Sequence, residues 1–333
     1  MSEILPHPRE VFDYLGGEAV DAAFLDALDR GRMHHAWLLV GPEGVGKATF
    51  AYRAARRLLG APAEPGLGPL GSPPDHPVSR QILSRAHPDL IVLQRDPEDG
   101  KTRKGIPVDE ARALPEFFSK SPASAPYRVA IVDSADDLGV SAANAVLKIL
   151  EEPPERGILF LISDTPGALL ATLRSRCRRL RFEPPPQEAA AAWVAARTGV
   201  GLEDAGRLLR MARGAPGQAW RLAAAGALEI EETARELLRA LPRVDETAVL
   251  AIADGFRGPA GGVRFDLLFD ALADQVRTMA TSRALAGAEE GRSLDRWAEA
   301  WRMLSDAPRE AEAINFDRVD VFYTALSRLR AIA

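Results

Sequence analysis

Two rhythms of apolar residues divide this chain. In the first half, short runs at 37–40, 90–93, 128–132 and 158–163 read as strands buried on both faces, with 180–182 as a weaker fifth. Helical spacing intervenes. Phe50, Ala54, Ala55, Leu58 and Leu59 predict a helix over 49–59, and Ala142, Val146, Leu147 and Leu150 predict one over 141–150. Ser141 is placed to cap the second helix. Pro153-Pro154 stops it, because proline lacks an amide donor and clashes with the preceding turn. Strands alternating with helices predict an α/β fold around a mostly parallel sheet.

Segment 61–78 holds six Pro and three Gly without periodicity and reads as an insertion loop. Beyond Pro184–Pro186 the strand rhythm ends. Helical texture follows over 189–197, 202–213, 218–225, 230–241, 246–256, 264–285, 293–305 and 309–332, with Pro242 interrupting it. The organisation expected is an α/β domain over 1–182 and two helical domains, over 183–240 and 241–333.

Composition narrows the classes. The 333 residues are 47% hydrophobic and 27% charged, as in ordinary soluble proteins. A net charge of -5 argues against coating nucleic acid by bulk charge. A single cysteine, Cys177, excludes a disulfide within the chain and a Cys-rich zinc site. The longest apolar runs fall far short of the ~20 residues that span a bilayer, and residues 1–9 carry no secretory pattern, so a cytoplasmic location is expected. Of 42 basic residues only five are lysines, at 47, 101, 104, 120 and 148. Each lysine is therefore more informative than any one arginine.

One lysine closes a recognisable loop. Gly41-Pro42-Glu43-Gly44-Val45-Gly46-Lys47 follows the first strand and opens the first helix, which is the context of a phosphate-binding loop. Gly41, Gly44 and Gly46 let the backbone wrap closely so that its N–H groups face phosphate oxygens, and Lys47 supplies a point charge. The next position breaks the pattern. A metal-binding loop needs Ser or Thr there, and this chain has Ala48, with Thr49 one residue late. A second acidic site is expected at the end of another strand. Asp133 fits the metal-associated carboxylate, but Ser134 stands where a water-activating Glu belongs. Both losses strike metal-assisted hydrolysis. The loop reads as a degenerate nucleotide site formed by Gly41, Gly44, Gly46, Lys47, Thr49 and Asp133, holding ATP or ADP weakly or not at all.

Two further stretches carry a family resemblance. Residues 141–154, SAANAVLKILEEPP, resemble the NALLKxLEEPP helix of bacterial clamp-loader subunits, and Ser175-Arg176-Cys177 matches their SRC motif. Gly31 to Ala36 before the loop and His87-Pro88-Asp89 before the second strand fit as well. The match is closest to the delta-prime subunit family of the DNA polymerase III clamp loader, within the AAA+ class. The resemblance implies a RecA-like α/β domain, then a helical lid over 183–240 and a helical collar over 241–333. It implies partners: gamma/tau ATPase and delta subunits in a hetero-pentameric ring, a sliding clamp and primer-template DNA, and no membrane. It also implies a role for Arg176 as an arginine finger acting in trans on a neighbour's ATP, with no catalytic residue in cis.

Departures from active relatives agree with this. The lid arginine that senses ATP is absent from Gly214-Ala215-Pro216-Gly217, while Ser163-Asp164-Thr165 keeps polar groups at the γ-phosphate sensor position. The four-Cys zinc module of many relatives is replaced by the 61–78 insertion, so neither zinc nor any other metal is expected. The competing reading is a gamma/tau-like ATPase with a variant loop, in which Thr49 substitutes at position 48 and Asp136 or Asp137 activates water.

Overall fold

The structure, a computed structural model, describes residues 6–95, 103–258, 260–285, 291–314 and 316–332. Positions 1–5, over half of the stretch searched for a secretory pattern, lie outside the described residues, as does position 315 within the predicted 309–332 helix. The chain folds as two compact units, 1–220 and 221–333.

The first unit is built on a five-stranded parallel sheet. Its strands are β1 (Ala36–Val40), β2 (Leu90–Gln94), β3 (Arg128–Asp133), β4 (Gly157–Ser163) and β5 (Arg178–Arg181), in the order β2-β3-β4-β1-β5. β1 lies between β4 and β5, with Ala36 opposite Leu159 and Val40 opposite both Ser163 and Arg181. This is the α/β architecture that the strand rhythm predicts.

Side-chain alternation explains the unbroken apolar runs. Trp37 and Leu39 point to one face of β1, and Ala36, Leu38 and Val40 to the other. Both faces are covered. On the first, α1 (Glu18–Asp29) and α2 (Lys47–Leu58) bring Phe24, Phe50 and Leu58 against Trp37, Ile131 and Phe160. On the second, α4 (Val108–Ser119) and α5 (Val140–Glu151) bring Leu114, Val146 and Leu150 against Leu38, Val132 and Leu161. β1, β3 and β4 are thus covered on both faces, so no polar residue needs to interrupt their runs.

Several local expectations are corrected. Ser141 does not cap α5; Gly139 does, and the helix starts at Val140. The 61–78 insertion is packed rather than loose, since Leu70 is fully buried in the first core and Ser72 is buried with it. The short helix α3 (Pro77–Leu83) starts inside this segment. Asp89 is also fully buried. It accepts backbone N–H bonds from Ala123, Ser124 and Ala125 at 2.7, 2.9 and 3.2 Å, and Arg128 lies 3.4 Å away. Burial alone would raise its pKa. The three amides and the Arg128 charge outweigh burial and hold the carboxyl below its ordinary value.

A short helix, α6 (Ala171–Ser175), lies between β4 and β5, and after β5 the first unit continues into α7 (Gln187–Thr198), α8 (Leu202–Met211) and the start of α9 (Pro216–Ala224). Trp193 and Trp220 meet edge to face, with the Arg197 guanidinium over Trp193.

The second unit is helical: α10 (Ala227–Ala240), α11 (Glu246–Asp254), α12 (Gly261–Leu285), α13 (Gly291–Ile314) and α14 (Arg318–Ile332). Phe256, Phe265, Phe269 and Phe322 form its aromatic centre. Ala234, Leu237 and Leu238 of α10 belong to this core, so the compact helical unit begins upstream of residue 241. The predicted break near 305–309 is absent. α13 runs through Pro308 to Ile314, and α14 begins at Arg318. Trp297 and Trp301 do not share an environment: Trp297 is buried and Trp301 is exposed. Among the described residues, no helix is long and apolar enough to cross a membrane.

Candidate functional site

The phosphate loop leaves β1 and enters α2, as the motif requires. Gly44 and Gly46 take φ angles of +77° and +106°, in the left-handed region open to glycine. At Gly44 the need is steric as well. A Cβ there would lie 2.3 Å from the Gln218 amide nitrogen, because the start of α9 packs directly on the loop. The Gly217 N–H donates to the Gly44 carbonyl at 2.9 Å. Position 217 is thus in backbone contact with the loop, and a side chain at Gly217 would meet that same carbonyl at 2.7 Å. From the other side, Tyr14 lies against Gly46 and donates its hydroxyl to Asp21 at 2.5 Å. Arg53 and Arg56 of α2 tie this N-terminal segment down. Arg53 donates to the carbonyls of Phe12 and Leu67, and Arg56 donates to that of Arg9. Burial, then the neighbouring Arg53, push the Arg56 pKa down to about 10, so it is still charged at neutral pH.

Lys47 is only 4% exposed, and its ammonium is fully engaged. It donates to the carbonyls of Gly41 and Pro42 at 2.8 and 2.7 Å and pairs with Asp164 at 2.6 Å. An ammonium has three donors, and all three are taken. Asp164 follows β4, at the position read as a γ-phosphate sensor. Its backbone is held by Asp136, whose carboxylate accepts four bonds: from Ser163 Oγ, Asp164 N, Thr165 N and Thr165 Oγ1. Replacing Asp164 by alanine is expected to cost about 1–2 kcal/mol of stability. Lys47 would keep its buried charge without an anion, and the partial exposure of Asp164 reduces the loss. Urea unfolding measures this.

The other expected site residues fall as follows. Ala48 carries no hydroxyl. Thr49 is buried within α2 rather than presented by the loop. Asp133 ends β3 opposite Gln94 of β2, and its charge adds to burial in raising the Tyr52 pKa. The acceptors around Lys47 do not include Asp133. Asp137 pairs with Arg95 at 3.3 Å. A cavity of about 350 Å³ lies elsewhere, at the edge of β2 between Arg9, Tyr52, Arg85 and His87.

Arg176 occupies a separate place. It follows α6, between buried Leu173 and half-buried Cys177, which packs against the second core. Burial pushes the Cys177 thiol up to about 12, so it is a packing group rather than a nucleophile. The Arg176 guanidinium is half-exposed. One Nη donates to the Thr172 carbonyl at 3.0 Å, and the other lies 3.1 Å from the Glu151 carboxylate. Two arginines that follow it have structural partners: Arg178 lies over the Trp37 ring at 4.9 Å, and Arg181 pairs with Glu183 at 3.4 Å. Sequence reasoning missed Asp164 as the partner of Lys47, Asp136 as the clamp on 163–165, and Glu151 beside Arg176.

Comparison with known proteins decides the family. A family model described as "DNA polymerase III, delta subunit" matches residues 17–186. The DNA polymerase III subunit delta' of Pseudomonas aeruginosa is 31% identical over 94% of this chain and 88% of that protein. The chain belongs to the DNA polymerase III delta-prime family. The Escherichia coli delta' subunit is 34% identical over 69% of this chain and 67% of its own length. A gamma/tau subunit of Mycobacterium tuberculosis is 34% identical over 60% of this chain but only 33% of its own length. The family match spans the phosphate loop, the LEEPP helix and the SRC motif together, so the clamp-loader subunit class rests on residues 17–186 rather than on the loop alone.

Proposed function

We propose that this chain is a non-hydrolysing subunit of the DNA polymerase III clamp loader and supplies Arg176 in trans to a neighbouring ATPase subunit. The observation that carries the first part is the state of Lys47, whose three donors are spent on Gly41, Pro42 and Asp164. A nucleotide phosphate would have to displace a carboxylate from a buried ammonium. It would also have to part Gly217 from Gly44, and it would find no hydroxyl at Ala48 to hold a metal. The residues present therefore do not fit a metal-bound nucleotide. The competing ATPase reading loses support at each of its substitutes: Thr49 is buried, the Asp136 carboxylate is consumed by residues 163–165, and Asp137 pairs with Arg95.

The second part rests on placement. Arg176 lies outside the phosphate loop of its own chain, with buried Leu173 before it and half-buried Cys177 after it holding the backbone. A planar, permanently charged fork suits bidentate contact with a phosphoryl group presented from outside. In this reading the partners are gamma/tau-type ATPase and delta subunits in a pentameric ring. The assembled complex engages the sliding clamp and primed DNA in the cytoplasm.

Calorimetry of the full chain with ADP and with ATP plus magnesium tests the closed loop. The expected result is no saturable heat up to millimolar nucleotide and no turnover by the isolated chain. Micromolar binding that disappears in Lys47→Ala would overturn it.

A further inference from the structure

The role assigned to Arg176 needs a long, half-exposed side chain to be aimed before its target arrives. We propose that Glu151 is the positioning residue for Arg176. This rests on the reading of Arg176 as a trans-acting finger and adds the residue that orients it.

The two side chains come from elements that are each fixed. Glu151 is the last residue of α5, whose opposite face buries Ala142, Val146, Ile149 and Leu150 in the second core. Pro153-Pro154 ends the helix immediately afterwards, so the carboxylate has a set origin. Arg176 is fixed by Leu173 and Cys177 on the same side of the sheet. A guanidinium has five N–H donors; the Thr172 carbonyl takes one, and the Glu151 carboxylate holds the other Nη by charge at 3.1 Å. The remaining donors stay available for phosphate oxygens. The pair therefore restricts the rotamers of Arg176 without consuming its binding capacity. It also gives one physical reason for the LEEPP and SRC motifs to occur together, because they meet at this ion pair. Both partners are substantially exposed, so the bias is modest, at most about fivefold.

The experiment uses the reconstituted clamp-loader complex with clamp and primed DNA. Glu151→Ala is expected to lower single-turnover ATP hydrolysis about three- to fivefold at the neighbouring site, with KM for ATP unchanged. Glu151→Asp, which keeps the charge, should retain more of the rate than Glu151→Gln, which removes it. In an Arg176→Ala background, Glu151→Ala should have no further effect. The proposal is overturned by an unchanged or raised rate in Glu151→Ala, or by failure of that complex to assemble on gel filtration. An equal loss with and without Arg176 overturns it too, since each outcome makes Glu151 a helix-end or assembly residue. A full rate in Arg176→Ala alone removes the trans-acting reading itself. That arm is scored separately.

Discussion

Arg176→Ala is expected to slow ATP hydrolysis at the single neighbouring site it serves by a factor on the order of 10³, the lower range for arginine fingers. Three properties of the side chain support so large an effect. Its charge is permanent, its fork matches two phosphoryl oxygens, and its backbone is held by buried Leu173 and half-buried Cys177. Steady-state turnover of the complex should fall only to what the other sites sustain, so rapid-quench single turnover is the informative measurement. Clamp loading on primed DNA should fall with it. Arg179→Ala, an exposed neighbour, is the control and should leave both rates intact. An undiminished quench amplitude and rate in Arg176→Ala would remove the function assigned here to the SRC arginine.

Asp89→Ala is expected to cost about 3–5 kcal/mol of stability, measured by urea unfolding. The substitution strips three backbone amides of their acceptor and leaves the largely buried Arg128 without its anion. A pH test accompanies it. The folded-state pKa of Asp89 lies below the unfolded one. Its contribution is therefore complete above the ordinary carboxylate pKa of ~3.9 and is lost as pH falls through the lower folded value. Wild-type protein should lose more stability than Asp89→Asn between pH 6 and pH 3. Equal slopes for the two would show that Asp89 is not the group responsible.

The parts of this fold that were legible in the sequence share a cause. β1, β3 and β4 are covered on both faces, so their apolar runs are continuous and need no context to read. β5 is a sheet edge with only Leu180 buried among Arg178, Arg179 and Arg181, so its signal was faint and its bounds were misplaced. α4 carries Pro115 in its interior, and α3 hides in a proline-rich segment, so both break the rules by which helices are recognised. Ser141 looked like a cap because caps are read from side-chain chemistry, whereas the chain turns at Gly139 instead. In α13 the interior Pro308 misled in the opposite sense.

The site divides in the same way. Gly41, Gly44, Gly46, Lys47 and Ala48 are contiguous, and their meaning is local. The Lys47–Asp164 pair joins residues 117 positions apart. Asp164 was visible only as one polar residue at a strand end, with nothing nearby to mark its partner. The same holds for Glu151, whose place in the LEEPP motif was evident but whose contact with Arg176 needed the packing of α5 and α6. Of the site, the chemistry lost to substitution was readable, and the contacts that replaced it were not.

That replacement has an evolutionary consequence. Restoring a hydrolytic site would need a hydroxyl at 48, a general base at 134, a neutral group at 164 and a cation near 217. The Lys47–Asp164 pair sets the order in which such steps are tolerated. Removing Asp164 first leaves a buried ammonium without an anion, while a hydroxyl at 48 or a base at 134 has no ligand to act on while the pair persists. Every single step back is neutral or harmful. In the proposed non-hydrolysing reading the pair thus acts as a ratchet: with the Asp164 carboxylate in the place of a nucleotide phosphate, no single step back brings a gain.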